Sequence, residues 1–206
     1  MGNLRARNEN EVTARKESIL NAAAELLLTE DYDNITLATI SEKTNISRPS
    51  MYNYYKTKEE IFLDLMVREY LSWKNELESL FTRKVSRETF CKRLASSLIK
   101  QHLLIRLFAV RQFQLEKRLG TEKMEHFYEI VAPFFDTFTA MLNKQFPDAE
   151  KSKLDMFKIQ FTLYCYSVYP MSQMDGWESR DDFFGNVPDF ETIYFKGLML
   201  LTSELA

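Results

Sequence analysis

The run NISRPSMYNYYKTKEE, residues 45–60, holds three cations (Arg48, Lys56, Lys58) and three tyrosines (Tyr52, Tyr54, Tyr55). Lys43 brings the basic residues between 43 and 58 to four, with no acid among them, in a chain whose formal net charge is -3. Cations, hydroxyls and phenols at this density suit the neutralisation and hydrogen bonding of phosphate, and Arg can also read a guanine edge. A solvated turn with ordinary surface lysines is the alternative reading of the bare stretch. The elements around it have to decide.

Other chemistries have little to build on. There are two histidines, His102 and His126, far apart in sequence, and only five glycines (Gly2, Gly120, Gly176, Gly185, Gly197). None of the glycines is spaced to cradle a phosphate, and HExxH and GxSxG do not occur. Cys91 and Cys165 form no CxxC pair. That suits a reducing cytoplasm and argues against a disulfide framework or a structural zinc. We therefore expect no catalytic residues, no metal and no cofactor, and not an enzyme. No apolar run reaches the roughly 18 residues of a membrane span, and the polar opening MGNLRARNEN is no secretory signal. With 206 residues, 45% hydrophobic and 28% charged, the chain is long enough and apolar enough for a buried core.

Helical periodicity runs through the chain. Over 13–29, Ile19, Ala22, Ala23, Leu26 and Leu27 fall on one face. Residues 1–12 precede it as an arm. Its Arg5 and Arg7 belong either to a disordered tail or to an arm entering a minor groove. Thr36 is placed to cap a short second helix with Leu37 and Ile40 facing inward. Ser47 is placed to cap a third, roughly 48–54, with Pro49 in the first turn, where its missing N–H costs nothing. Thr57 and Glu60 form a capping box that opens a long helix over about 58–82. Two short helices joined by a tight turn make a helix-turn-helix. The basic island then falls on its second helix and the turn after it.

The remainder also reads as helix, so the fold class is all-α. Ser86 opens one segment, and another spans 101–118. Thr121 opens a long helix that Pro133 should kink. A helix over 148–169 stops at Pro170, a long loop covers 171–187, and a last helix runs over about 189–204. The expected division is a DNA-binding domain over 1–57 and a regulatory helical bundle over 58–206.

The stretch ARKESILNAAAELLLTEDYDNITLATISEKTNISRPSMYNYYKTKEEIF resembles the N-terminal domain of TetR/AcrR-type transcriptional regulators. The resemblance rests on Ile19–Leu20, Ala22–Ala23, Tyr32, Ile35–Thr36, Ile40, Ile46–Ser47, Ser50, Tyr52, Tyr54–Tyr55 and Lys58–Glu59, and covers about residues 13–62. The chain departs from the pattern at Asp31 and Pro49, where the family usually or often has Gly, and at Tyr55, often Phe. Pro49 fits a first helical turn, but puts a close backbone approach to DNA there in doubt. Tyr55 reads as a core residue with a hydrogen-bonded hydroxyl. The resemblance implies that Thr36, Ser47, Arg48, Ser50, Tyr52, Tyr54 and Lys58 lie at the DNA. Tyr54 and Lys58 would anchor phosphates and Arg48 would read a base. It also implies a homodimer that reads a palindromic operator in double-stranded DNA, and a repressor released by a small-molecule effector of unknown identity.

The last two helices are apolar on more than one side. Leu154, Phe157, Phe161, Tyr164, Cys165 and Val168 share one face of the first, with Ile159, Leu163, Tyr166 and Tyr169 elsewhere. On the second, Ile193, Tyr194, Leu198 and Leu201 are joined by Phe195, Met199 and Leu200. A second apolar face needs a second partner, and a twofold dimer through 148–169 and 189–204 supplies one. Its expected contacts are Phe157, Tyr166, Tyr194, Gly197, Leu198 and Leu201, with Gly197 marking a close helix crossing. A ligand pocket in the middle helices would draw on Phe108, Phe113, Phe127, Phe134, Phe138, Phe161 and Tyr164, with His102, Gln112, His126 and Tyr128 as polar groups. An aromatic stripe at helical spacing is more often core than pocket. Two other readings compete with the effector-released repressor: an architectural or cell-division DNA-binding protein without an effector, and a helical dimer that serves as a protein-interaction module.

Overall fold

The computed structural model describes residues 2–172 and 189–205, with side chains over 10–111, 114–168 and 189–205. Its helices are α1 (Gly2–Thr29), α2 (Leu37–Glu42), α3 (Arg48–Met51), α4 (Lys58–Leu80), α5 (Arg87–Lys100), α6 (His102–Val110), α7 (Glu116–Leu119), α8 (Thr121–Gln145), α9 (Lys151–Ser172) and α10 (Phe190–Leu201). A 3₁₀ turn covers Tyr32–Asn34, and a π-helical turn, Arg111–Leu115, follows α6. The described residues contain no strand, as an all-α chain requires.

The chain forms two compact units. The first takes residues 1–68 and 110–128. Ile19, Ala23, Leu26 and Leu27 of α1, Ile40 of α2 and Met51 of α3 are buried there with Ile61, Phe62, Leu65 and Met66 of α4. These last four are why the division falls within α4 rather than at the expected 57/58: the first turns of that helix close the core of the helix-turn-helix head. Tyr55 is buried, and its hydroxyl donates to Asp64 Oδ2 at 2.9 Å. The α4 capping box forms as expected, with Thr57 Oγ1 accepting from the Glu60 N–H and Glu60 Oε2 accepting from the Thr57 N–H.

The second unit takes residues 69–109 and 129–206. The Trp73 indole N–H donates to Ser97 Oγ at 2.9 Å, a buried bond joining α4 to α5. The buried Gln145 side chain accepts from the Val85 N–H (2.9 Å) and donates to Arg83 O (3.0 Å), which ties the end of α8 to the α4–α5 connection. Cys91 lies against Thr202, whose hydroxyl donates to Leu198 O. Tyr164 of α9 donates to Ile193 O at 2.8 Å. A Cβ on Gly197 would fall inside the Tyr164 phenol.

Several expectations need correction. Residues 2–12 are neither a disordered tail nor a separate arm: they extend α1 to Gly2. The third helix is shorter than expected, four residues, with turn bonds such as Tyr54 N–H to Met51 O carrying the chain onward. Pro170 does not stop α9, which runs on to Ser172. Residue i of a helix donates to i−4, so a proline near the C-terminal end removes one bond without ending the helix at once. Pro133 sits inside α8, which is continuous on both sides of it. Of the loop expected over 171–187, residues from 173 onward lie outside the described residues.

Candidate nucleic-acid interface and apolar cleft

Two capped helices position the first site. Thr36 caps α2: its Oγ1 accepts from the Thr39 N–H (3.1 Å), and Thr39 Oγ1 accepts from the Thr36 N–H (2.9 Å). Ser47 caps α3, with Oγ accepting from the Ser50 N–H and sharing a 2.9 Å bond with Ser50 Oγ. The turn between them is stapled by Ser41 Oγ, which donates to Ile46 O, and Thr44 Oγ1, which donates to Ser41 O. Ile46 and Met51 anchor the unit from below. Thr36, Ser47, Arg48 and Tyr52 are exposed on it; Ser50, Tyr54 and Lys58 are partly exposed.

The four cations of the basic run are not equivalent. Lys43 pairs with Glu25 at 2.7 Å, and Lys56 Nζ donates to Tyr52 O at 2.6 Å. Lys58 Nζ donates to Tyr32 O (2.7 Å) and Ile35 O (2.8 Å) and lies 4.1 Å from the centre of the Tyr32 ring. Burial lowers its pKa, with the charges of Glu59 and Asp33 opposing that. Lys58, expected as a phosphate anchor, is thus tethered within its own chain. Two of its three N–H donors hold the loop before Thr36 onto α4. Arg48 is the exception, with no hydrogen bond or ion pair among the described residues.

The head also receives the segment 110–128. Glu59, with a side chain only 7% exposed, accepts from Arg118 Nη1 of α7 at 2.8 Å. Its neighbour Glu60 pairs with Lys123 of α8 and accepts from the Lys56 N–H at 2.6 Å. Burial alone would raise the pKa of Glu60, but Lys123 and these backbone donors hold it below the usual carboxylate range. A carboxylate with a lowered folded pKa stabilises the fold above its ordinary pKa, and that contribution is lost as pH falls through the lowered value. Burial, then the charge of Glu59, push the Tyr32 phenol well above its ordinary pKa. Arg111, at the start of the π-helical turn, donates to Tyr128 Oη (2.6 Å) and Glu116 Oε1 (3.0 Å), and its guanidinium sits over the Phe127 and Tyr128 rings.

A second site is an apolar cleft within the second unit, with about 60 Å³ of free volume. Tyr70, Trp73, Phe108, Phe134, Phe138, Phe161 and Cys165 form its buried floor; Phe135, Lys158 and Thr162 stand at its rim, with Tyr166 alongside. The rings of Phe134, Phe138, Phe157 and Phe161 stack nearly parallel, within 17° of one another from pair to pair. Of the pocket expected from sequence, Phe108, Phe134, Phe138 and Phe161 meet here. Phe127 and Tyr128 do not, because they belong to the first unit under Arg111. His102 is exposed at the start of α6, and His126 is exposed on α8. Tyr164 is committed to Ile193, and burial pushes its pKa up to about 12. The side chains of Gln112 and Phe113 lie outside the described residues.

The residues expected at a dimer interface differ in their surroundings within the single chain. Phe157, Tyr194 and Leu198 are core residues of the single chain. Gly197 is the close crossing expected of it, but against Tyr164 of the same chain. Tyr166 packs on Phe108 at the cleft. Leu201 alone lines a surface groove, together with Met156, Gln160 and Leu200. The apolar face left exposed consists of Met156 (53%), Ile159 (57%) and Leu163 (61%) on α9 and Leu200 (75%) on α10. Sequence reading placed Ile159, Leu163 and Tyr166 away from the first face but took only Tyr166 of these as a contact. The i, i+3, i+7 spacing of Met156, Ile159 and Leu163 was the available signal. At the cleft, Tyr70, Trp73, Phe135 and Lys158 were missed because they come from helices read as plain core or surface.

A model of bacterial regulatory proteins of the tetR family matches residues 19–65, and one of tetracyclin repressor-like C-terminal domains matches residues 67–203. The chain belongs to the tetR family. It is a helix-turn-helix, DNA-binding transcriptional regulator of that family, whose members are regulators rather than enzymes. The HTH-type transcriptional regulator QacR of Staphylococcus aureus is 30% identical over 76 residues, which is 36% of this chain and 40% of QacR. The chain thus matches under half the length of that relative. Whole-length similarity of fold extends to tetR-type structures. The fatty acid degradation regulator FadR of Bacillus halodurans has a TM-score of 0.61 at 16% identity, covering 91% of this chain and 94% of that one. Bacillus subtilis FadR in complex with stearoyl-CoA has a TM-score of 0.62 at 17% identity, covering 91% and 98%. Thermus thermophilus FadR, a repressor in complex with lauroyl-CoA, has a TM-score of 0.58 at 17% identity, covering 93% and 95%. No described helix of this tetR-family chain is long and apolar enough to cross a membrane.

Proposed function

We propose that the chain is a homodimeric repressor that binds a palindromic operator and is released from it by a small-molecule effector. The observation that carries the DNA part is the exposed set Thr36, Ser47, Arg48 and Tyr52 on two mutually stapled, capped helices, with Arg48 the uncommitted cation. Arg48 reads a base edge; Thr36, Ser47, Ser50, Tyr52 and Tyr54 give hydroxyls to phosphates. Lys58 positions the loop carrying Thr36 and keeps one N–H for a phosphate. Two such heads separated by about one duplex turn, ~34 Å or a multiple, read the two half-sites. The exposed face of Met156, Ile159, Leu163 and Leu200 is where two copies meet. Both cysteines are buried free thiols, in keeping with a cytoplasmic setting.

The effector part rests on the aromatic cleft, and the acyl-CoA complexes of two similarly folded regulators support a ligand-responsive reading. The chain passes between its units inside α4, at the end of α6 and inside α8. Cleft residues lie within two turns of each passage: Tyr70 and Trp73, Phe108, and Phe134 with Phe135. With so little free volume, a ligand must part these helices to enter. The segment 110–128 carries that displacement to Glu59 and Glu60, in the turn that holds the helix-turn-helix together. Effector binding then favours a state whose heads no longer match the half-sites.

Arg48→Ala tests the reading of the interface. It should weaken binding to the operator by about 1–3 kcal/mol and relax preference at one base position. Binding to random duplex should change little, as followed by anisotropy over single-base operator variants. Equal losses on operator and random DNA would make Arg48 a phosphate contact and leave the base reading elsewhere.

A further inference from the structure

The chemistry of the cleft narrows its occupant. The floor is poor in hydrogen-bonding groups: the Trp73 indole N–H is spent on Ser97, the phenylalanines have none to give, and the Tyr70 phenol and Cys165 thiol are its other polar groups. Cys165 is fully buried, and burial pushes its thiol pKa far up, so it stays neutral. A polar group pushed into this floor would lose its water and find few partners, which disfavours any ligand that is polar along its length. The rim differs. Lys158 and Thr162 stand one turn apart on α9, and no carboxylate lines the cleft. Lys158 pairs with Asp155 at 2.6 Å, but both side chains reach solvent, and a surface pair at i, i+3 is readily exchanged. Thr162 donates to Lys158 O at 2.8 Å, so its hydroxyl proton is spent and the Lys158 ammonium is the donor at this part of the rim.

We propose that the cleft takes an amphipathic monoanion, an alkyl or arylalkyl carboxylate. Its apolar body lies between the parallel phenylalanines, and its carboxylate meets the Lys158 ammonium at the rim in place of Asp155. This rests on the reading of the cleft as the effector site and names the effector's class. A lipophilic cation is disfavoured by Lys158 itself, and a neutral molecule forgoes the pairing of opposite charges.

Trp73 lies on the floor and is one of two tryptophans in the chain. Replacing the other, Trp177→Phe, gives full-length protein whose tryptophan emission reports on the cleft. This protein is titrated with dodecanoate, dodecanol and dodecyltrimethylammonium below their micellar concentrations. The expected result is a saturable change in emission with dodecanoate, at an affinity about tenfold above that for dodecanol. Dodecyltrimethylammonium should bind more weakly still. Lys158→Met should bring dodecanoate to the level of dodecanol while leaving dodecanol binding unchanged. Equal affinities for the three probes, tightest binding of the cation, or no saturable change with any of them would overturn the proposal. The same samples are scored for operator binding. Dodecanoate that binds with the expected preference but leaves DNA affinity unchanged would uphold the ligand class and sink the effector reading. Intact DNA binding with a silent cleft would sink the ligand class alone.

Discussion

Leu163→Glu should turn the protein into a monomer and weaken operator binding by about a hundredfold or more. Leu163 lies at the far end of the exposed row formed with Met156 and Ile159, and Leu200 of α10 extends the patch. Isolated exposed apolar residues are ordinary, but four large ones on two adjacent helices form a patch of the kind that marks an interface. In a twofold dimer each residue recurs on the partner, so one substitution places two carboxylates in the apolar seam. Each would have to leave water without a cation to receive it. Loss of the dimer also removes the second head from the DNA, and tethering two half-site contacts is worth about 10²–10⁴ in affinity. Light scattering coupled to size-exclusion chromatography reads the mass, and anisotropy reads the DNA. A Leu163→Glu protein that stays dimeric and keeps its operator affinity would place the interface elsewhere.

The second large effect belongs to the ion pair between α7 and the DNA-binding head. Arg118→Ala should lower the stability of the protein by about 1–3 kcal/mol, because it leaves the Glu59 carboxylate almost buried with no cation beside it. The figure is held below that of a fully buried pair because Arg118 is itself 56% exposed and water reaches its side of the bond. Adding Glu59→Gln should restore most of the loss, since a neutral amide is far cheaper to bury than an unpaired charge. Thermal melting of wild type, both single variants and the double variant closes the cycle. Additive losses would mean that Glu59 and Arg118 do not act as a pair. The same four proteins also test the coupling: variants lacking the pair should bind operator but release it less completely when the cleft is filled.

Much of the head was legible because its signals are local. Capping residues announce helix starts within four positions, so Thr36, Ser47, Thr57 and Ser86 all cap the helices assigned to them. Tyr55 was legible as core through the resemblance, since the family often has Phe there, and its hydroxyl needed only Asp64, on the next helix. The tether of Lys58 was hidden for the opposite reason. Its partners are the carbonyls of Tyr32 and Ile35, far back in the chain, and a cation beside a helix start carries no mark of that. The same distance hid Arg118 with Glu59. In the regulatory half the aromatic residues were visible, but periodicity reports that a side chain is buried and not what it is buried against. Phe138 lines the cleft, while Phe127 packs under Arg111 and Tyr164 closes on Gly197. The exposed row on α9 was nearly legible: its spacing was in the sequence, and only the choice between two apolar faces needed the structure.

The account stands or falls on DNA. The most direct measurement is fluorescence anisotropy of the full-length protein with the duplex upstream of its own gene, against a scrambled duplex, at several salt concentrations. The account predicts tight, dimeric binding to one duplex and much weaker binding to the other, with a salt slope set by the phosphates engaged. Equal binding to both would reduce the basic run to a phosphate grip and favour an architectural protein. No binding to either, even at low salt, would contradict the assignment of Thr36, Ser47, Arg48 and Tyr52 to DNA.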